Sequence, residues 1–267
     1  MYNDLFTIGS FTMHGYGMMI AIGVVVALLV ADKRSFDHGI DGDHLYGMTL
    51  WTVVLGFLSA KILFIIVDFK SFLASPLAFL QGTGFVVFGG IIGGAATIFG
   101  YCKIKKIRFL DVLDLVVPSV ALAQGFGRIG CFLAGCCYGR KTDSFIGIVI
   151  PHSAFVDDAK RYPTQLIMAA GDFAIAALLF YIVHKLEKKI MEEKNLKKIP
   201  HGCDGRIGLA YFTLYSIGRF AIEFFRDDYR GSIGFLSTSQ FLSVITVIAC
   251  AIIYYLAFVK QIWKKEA

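Results

Sequence analysis

Seven apolar runs of bilayer-spanning length divide this chain, at residues 15–31, 45–67, 84–101, 110–137, 164–184, 207–225 and 240–259. Hydrocarbon offers a backbone no hydrogen-bond partner, so runs of this kind are helices wherever they cross it. No stretch between them is long enough for a soluble domain. The expected fold is therefore an all-α integral membrane protein with seven transmembrane helices. It forms one polytopic domain over residues 1–267, with a small outward-facing cap at about 138–163. Composition agrees: hydrophobic residues make up 57% of the chain and charged residues only 17%, against about 25% charged in soluble domains.

Charge placement sets the orientation. The links after the first, third and fifth runs and the tail after the seventh hold sixteen Lys and Arg residues, among them Lys33, Arg34, Lys103, Lys105, Lys197, Lys198, Lys264 and Lys265. The alternate links hold six besides Arg226, which directly follows the sixth run: Lys70, Arg140, Lys141, Lys160, Arg161 and Arg230. Cytoplasmic loops carry the positive excess, so the N-terminus is expected outside and the C-terminus in the cytoplasm. The net charge of +6 does not point to nucleic acid, because the basic residues lie at helix ends instead of clustering on a soluble face. Met1 to Met13 carry no Lys or Arg, and a cleavable signal peptide is not expected.

The stretch QGFGRIGCFLAGCCYGR, residues 124–140, departs from a plain span. Its five glycines weaken a helix, by about 1 kcal/mol each relative to Ala. Such backbone is tolerated at membrane depth only beside protein or a water-filled cavity. Arg128 stands within it, and a guanidinium there costs from about 3 to over 10 kcal/mol unless it holds something. Its partner is an anionic ligand or a carboxylate on a neighbouring helix. In the sixth run Tyr215, Arg219, Glu223 and Arg226 recur at helical spacing along one stripe, and Arg219 can pair with Glu223 four residues on. That pair could neutralise itself and be structural, yet Arg128, Arg219 and Arg226 together outnumber the one carboxylate. A positive pocket in the outer half of a membrane suits a phosphate.

Several other residues have two readings. Gly89, Gly90, Gly93 and Gly94 suit close helix packing more than binding. Lys61 is expected to line the same cavity or to reach an interface, and His14 and Tyr16 sit at the outer end of the first run. Cys131, Cys136 and Cys137 are either packing residues or a thiol site beside Arg128. No metal is expected, because Cys203 and His201 fall on the opposite side of the membrane.

Four stretches carry a resemblance: HGYGMMIAIG (14–23), GGIIGG (89–94), GRIGCFLAGCCYGR (127–140) with PTQL (163–166), and YSIGRFAIEFFR (215–226). In this order they resemble the bacterial prolipoprotein diacylglyceryl transferases. The resemblance implies a multi-pass plasma-membrane enzyme that moves a diacylglyceryl group from phosphatidylglycerol to the lipobox cysteine of a preprolipoprotein, releasing glycerol phosphate. It implies no cofactor and no nucleic-acid partner. By the same resemblance Arg128 and Arg219 grip the phosphoryl group, Glu223 and Arg226 are their helix partners, and Tyr16 is the tyrosine of the first span. Tyr215, Gly127, Gly130, Cys131, Cys136, Gly89 and Gly90 would surround the substrate. The chain departs from the family pattern at Phe88 (usually His), Cys131 and Ala134 (usually Asn), Cys136 (usually Glu) and Ile167-Met168 (usually Tyr-Glu). Two other classes stay open on these residues: a membrane thiol–disulfide protein using the three cysteines, and a catalytically silent lipid binder.

Overall fold

The structure is a computed structural model that describes residues 4–8, 11–36, 38, 40–82, 84–150, 157–194, 203–227 and 231–260. Lys197, Lys198, His201, Arg230, Lys264 and Lys265, which entered the sequence reading, lie outside the described residues. A hairpin of β1 (Asp4–Ile8) and β2 (Phe11–His14) precedes α1 (Gly15–Ser35). Then come α2 (Gly42–Val67), two short helices α3 (Phe69–Ala74) and α4 (Pro76–Gln81), α5 (Val87–Lys105) and α6 (Phe109–Ala134). The paired strands β3 (Ile148–Val149) and β4 (Lys160–Arg161) lie in the following loop. The chain continues as α7 (Thr164–Lys194), α8 (Arg206–Ile222), a two-stranded turn of β5 (Ser232–Ile233) and β6 (Leu236–Ser237), and α9 (Thr238–Tyr254).

Among the described residues six helices are long and apolar enough to cross a membrane: α1, α2, α5, α6, α7 and α9 with its π-helical continuation to Val259. The helix α8 is not among these six by itself. Its 17 residues rise about 26 Å at 1.5 Å each, against a hydrocarbon core of about 30 Å. A 3₁₀ turn, Glu223–Phe225, extends it. The seventh expected span is thus the one that carries the charged stripe.

At the centre of the bundle, α6 packs against α1, α7 and α8. Its buried face includes Val112, Leu115, Val117 and Ala121. Pro118 lies inside it. A proline leaves the carbonyl four residues before it without an amide donor, and Arg34 donates to the neighbouring Leu115 carbonyl at 2.8 Å. α2 pairs with α5 by close backbone approach: a Cβ on Gly89 would fall 2.6 Å from the Ser59 carbonyl oxygen, and one on Gly93 2.2 Å from Ser59 Oγ. Small residues are what permit such contact. Large apolar side chains such as Leu50, Trp51, Ile62, Ile91 and Ile92 are left outward on this pair, the surface expected to meet lipid.

One reading narrows and one expectation changes here. Of the two readings of Lys61, the shared cavity is not the one taken, since Lys61 lines neither the space between α7 and α8 nor the apolar one beside α6. Its ammonium donates to the carbonyls of Phe79, Gly82 and Gly84 at 3.0, 2.7 and 3.3 Å, closing the link from α4 to α5. Gly89 and Gly90, placed around the substrate by resemblance, are contacts between α5 and α2, with Gly90 facing the Gly56 carbonyl.

Candidate active site

The site is assembled at one end of the bundle, where the first turn of α1, the last turns of α6 and α8, and the start of α7 meet. On α6, Arg128 receives partners from two other helices. Its Nη2 donates to the Tyr215 hydroxyl at 3.3 Å, and its Nε lies 3.9 Å from Asp172 Oδ2. Asp172 is buried, and that oxygen has no hydrogen-bond partner among the described residues. An incompletely satisfied carboxylate beside a guanidinium inside a membrane protein is costly, so the arrangement reads as a site with room for another group.

Along α8 the predicted stripe is present. Arg219 Nη1 and Glu223 Oε2 are 2.6 Å apart, although neither atom completes an aligned hydrogen bond. Arg219 Nη2 donates to Ser239 Oγ at 2.7 Å. On the other side of Glu223, Arg226 Nε is 3.9 Å from the same carboxylate oxygen, while its Nη1 meets Met168 Sδ at 3.7 Å. Arg226 is buried, and its carbonyl accepts from Arg140 Nε at 3.1 Å. It anchors the end of α8 to the loop after α6.

A cavity of about 290 Å³ lies between α7 and α8, lined by Asp172, Tyr215, Arg219 and apolar residues including Ile175 and Phe225. Gly171 and Gly218 also line it, and a Cβ on either would meet nothing within 4 Å. These two glycines leave room next to the charged groups. A second cavity of about 360 Å³, almost wholly apolar, runs between α1, α2, α5 and α6 and reaches Gln124, whose Oε1 accepts from Tyr211.

The cysteine loop follows from how α6 stops. Gly135 adopts φ 69°, with Gly135 N bonded to Phe132 O at 3.1 Å and Cys136 N to Cys131 O at 3.2 Å. That is the left-handed helix end for which glycine is suited. The reversal folds Cys136 back over Cys131, and the three sulfurs of Cys131, Cys136 and Cys137 lie within 4.8 Å of one another. Thr164 Oγ1 and Gln165 Nε2, both buried at the start of α7, hold the carbonyls of Cys137 and Cys136 at 2.9 and 2.7 Å. Tyr16 packs over Gly130, where a Cβ would be 3.1 Å from its ring. Gly127 faces open space.

Outside the helices, Arg161 ties the loop to the segment after α8. It pairs with Asp157 at 2.9 Å and Asp227 at 2.7 Å, donates to the Gly139 carbonyl and lies over the Tyr138 ring. Residues 151–156 of the expected cap fall outside the described residues.

The family profile described as prolipoprotein diacylglyceryl transferase matches residues 3–256. The chain belongs to that family. It is similar to the phosphatidylglycerol–prolipoprotein diacylglyceryl transferase of Clostridium tetani (strain Massachusetts / E88), 43% identical over 246 residues that cover 91% of this chain and 93% of the relative. It is also similar to transferase 2 of that name from Clostridium perfringens (strain 13 / Type A), 42% identical over 245 residues and 90% of each chain. The transferase of Finegoldia magna (strain ATCC 29328 / DSM 20472 / WAL 2508) is 32% identical over 263 residues, 98% of this chain and 97% of its own.

In this prolipoprotein diacylglyceryl transferase family member, then, Arg128, Tyr215, Arg219 and Glu223 come to one end of the bundle, with Tyr16, Gly130 and the cysteines beside them. Gly89 and Gly90 do not join them. Sequence reasoning missed Asp172, Gln165, Ser239 and the two cavity glycines. Asp172 did leave a signal, since a lone carboxylate within an apolar run is itself a marker of function.

Proposed function

We propose that the protein transfers a diacylglyceryl group from phosphatidylglycerol to the lipobox cysteine of a preprolipoprotein at the outer face of a bacterial plasma membrane, with Arg128 and Arg219 holding the phosphoryl group. The observation that carries the reading is Arg128, set against one distant carboxylate and a phenol, next to a cavity that Arg219 also lines. A phosphodiester there gains two guanidinium contacts, and each can be bidentate. The large apolar cavity on the other face of α6 suits an acyl chain. With the N-terminus outside, this end of the bundle faces the outer leaflet.

In the reaction the substrate sulfur attacks the glycerol carbon bonded to the phosphate oxygen. A carbon–sulfur bond forms and the carbon–oxygen bond breaks. The electron pair departs on oxygen, and the thiol proton ends on the released glycerol phosphate. The arginines stabilise the charge that develops on that phosphate, the kind of contribution commonly worth about 3 to 4 kcal/mol per donor. Glu223 orients Arg219, and Tyr215 orients Arg128. Tyr16, 41% exposed, stands at the open side where a peptide would enter.

The deciding experiment is release of glycerol phosphate from phosphatidylglycerol vesicles given a lipobox peptide. Release is expected with the cysteine peptide and not with its serine counterpart. A well-folded sample that releases nothing in either case would overturn the proposal.

A further inference from the structure

Three thiols converge at the end of α6, beside the proposed phosphate site. Cys131, Cys136 and Cys137 present sulfurs within 4.8 Å of one another, and Tyr16 packs over Gly130, the residue before Cys131. Resting on the transfer reaction proposed above, we propose that these cysteines form a three-thiolate zinc site whose open fourth position takes the substrate's thiol.

The geometry is close to what the ion requires. Zinc binds thiolate at about 2.3 Å in a tetrahedron, which sets sulfurs about 3.8 Å apart, and catalytic zinc sites keep three protein ligands and one open position. The sulfurs therefore need to close by at most about 1 Å, within the reach of side-chain rotation about the Cα–Cβ bond. The loop is built to hold them. Cys137 sits at φ +62°, a conformation that costs a non-glycine residue about 1 to 2 kcal/mol and persists where the surroundings impose it. Thr164 and Gln165 supply that constraint through the carbonyls of Cys137 and Cys136. The Gln165 Oε1, buried on a residue only 1% exposed, has no hydrogen-bond partner among the described residues, beside the Nε2 that holds the Cys136 carbonyl. Three thiolates and Zn²⁺ carry a net charge of −1, so a loaded site does not oppose the Arg128 cation.

The chemistry is S-alkylation, which needs a thiolate held in place and still nucleophilic. A hydroxide on the zinc takes the substrate thiol's proton and leaves as water, and the sulfur becomes the fourth ligand. That sulfur then attacks the glycerol carbon, and the electron pair of the broken carbon–oxygen bond leaves on the phosphate. Water rebinding to zinc gives a proton to the released glycerol phosphate and restores the hydroxide. Nothing is oxidised or reduced.

The test reads metal and turnover separately. Protein purified in detergent without chelator should carry about one zinc per chain. With Co²⁺ exchanged in, it should show the near-ultraviolet sulfur-to-cobalt band of a tetrahedral thiolate site. A lipobox cysteine peptide should shift that band, and its serine counterpart should not. Cys131→Ser, Cys136→Ser and Cys137→Ser should each weaken zinc binding by about a hundredfold or more, beyond the roughly 10- to 100-fold loss typical of a supporting residue. Three outcomes overturn the site: zinc bound equally by the serine variants, a disulfide found in place of two thiols, or full turnover by zinc-free protein. Because the cobalt spectrum needs no lipid, stoichiometric metal without glycerol phosphate release would sink the transfer reaction and leave the metal site standing.

Discussion

The two ends of this bundle treat buried charge differently. At the end away from the cysteines, Glu187 accepts from Arg34 at 3.2 Å and from His38 at 2.8 Å. There Asp114, almost fully buried, caps the start of α8 by accepting from the amides of Gly205, Ile207 and Gly208 at 2.7, 3.1 and 3.2 Å. Those charges are satisfied by the protein itself. At the other end the nearest ion-pair approach of Arg128 to Asp172 is 3.9 Å, and Asp172 Oδ2 lacks a hydrogen bond. A charge that is costly to bury and completed by backbone and neighbours is architecture. One left incomplete beside a cavity is where a ligand supplies the missing contact.

The largest effect should come from the incomplete end. Arg128→Ala is expected to lower turnover by about 3 to 4 kcal/mol in barrier, on the order of several hundredfold, while leaving the melting temperature close to wild type. Lys at this position should restore little, since a point charge lacks the planar fork that meets two phosphate oxygens. Near-normal rates from Arg128→Ala in folded protein would erase the distinction between the two ends.

Removing a partner at the complete end should do the reverse. Arg34→Ala leaves Glu187 with His38 alone and takes a donor from the Leu115 carbonyl. Breaking fully buried pairs costs about 3 to 5 kcal/mol, and residual exposure of about 15% on both side chains puts this one nearer 2 to 3 kcal/mol. Thermal unfolding in detergent should show the loss, with the rate per folded molecule unchanged. A variant that melts normally but loses turnover would move Arg34 into the functional class.

How much of this was visible in the sequence depends on the range of each interaction. The apolar runs predicted the long helices because lipid leaves a backbone no alternative, and Tyr215, Arg219 and Glu223 share a stripe because α8 and the 3₁₀ turn that continues it hold all three. The short helices α3 and α4, separated by Ser75 ahead of Pro76, carry too few residues for periodicity to register. Asp172 meets Arg128 only through the crossing of α6 and α7, which no local pattern encodes. Cys131 and Cys136 are five apart and share no helical face. They converge because α6 ends at Gly135 and turns back. Lys61 stayed open between two readings because its partners are loop carbonyls, and a sequence does not display those.

Between these extremes stands the cavity itself. Gly218→Leu adds a side chain to a space that now holds nothing within 4 Å of a Cβ, on the wall shared with Arg219 and Asp172. Filling it should raise the KM for phosphatidylglycerol by about tenfold, about 1.4 kcal/mol, without loss of stability. An unchanged KM would mean that the lipid headgroup lies elsewhere around Arg128, sharpening the site to the α1 and α6 side.

The smallest effect concerns the exposed loop between α6 and α7, which Arg161 ties to Asp227 after α8. Hydrogen bonds from Lys141 and then Arg161 hold the Asp157 carboxyl down at about 2, below its ordinary 3.8. A group whose folded value is depressed stabilises the fold above its unfolded value, and that contribution is lost as pH falls through the folded value. The melting temperature should therefore slip between about pH 4 and pH 2, and Asp157→Asn should remove that part of the slope. Its size is small, since ion pairs in water contribute little. At neutral pH the same variant should turn over normally, because Arg161 keeps Asp227 and the Gly139 carbonyl. If Asp157→Asn instead stops turnover at neutral pH, the loop between α6 and α7 takes part in admitting the peptide, and the boundary between architecture and site moves outward to include it.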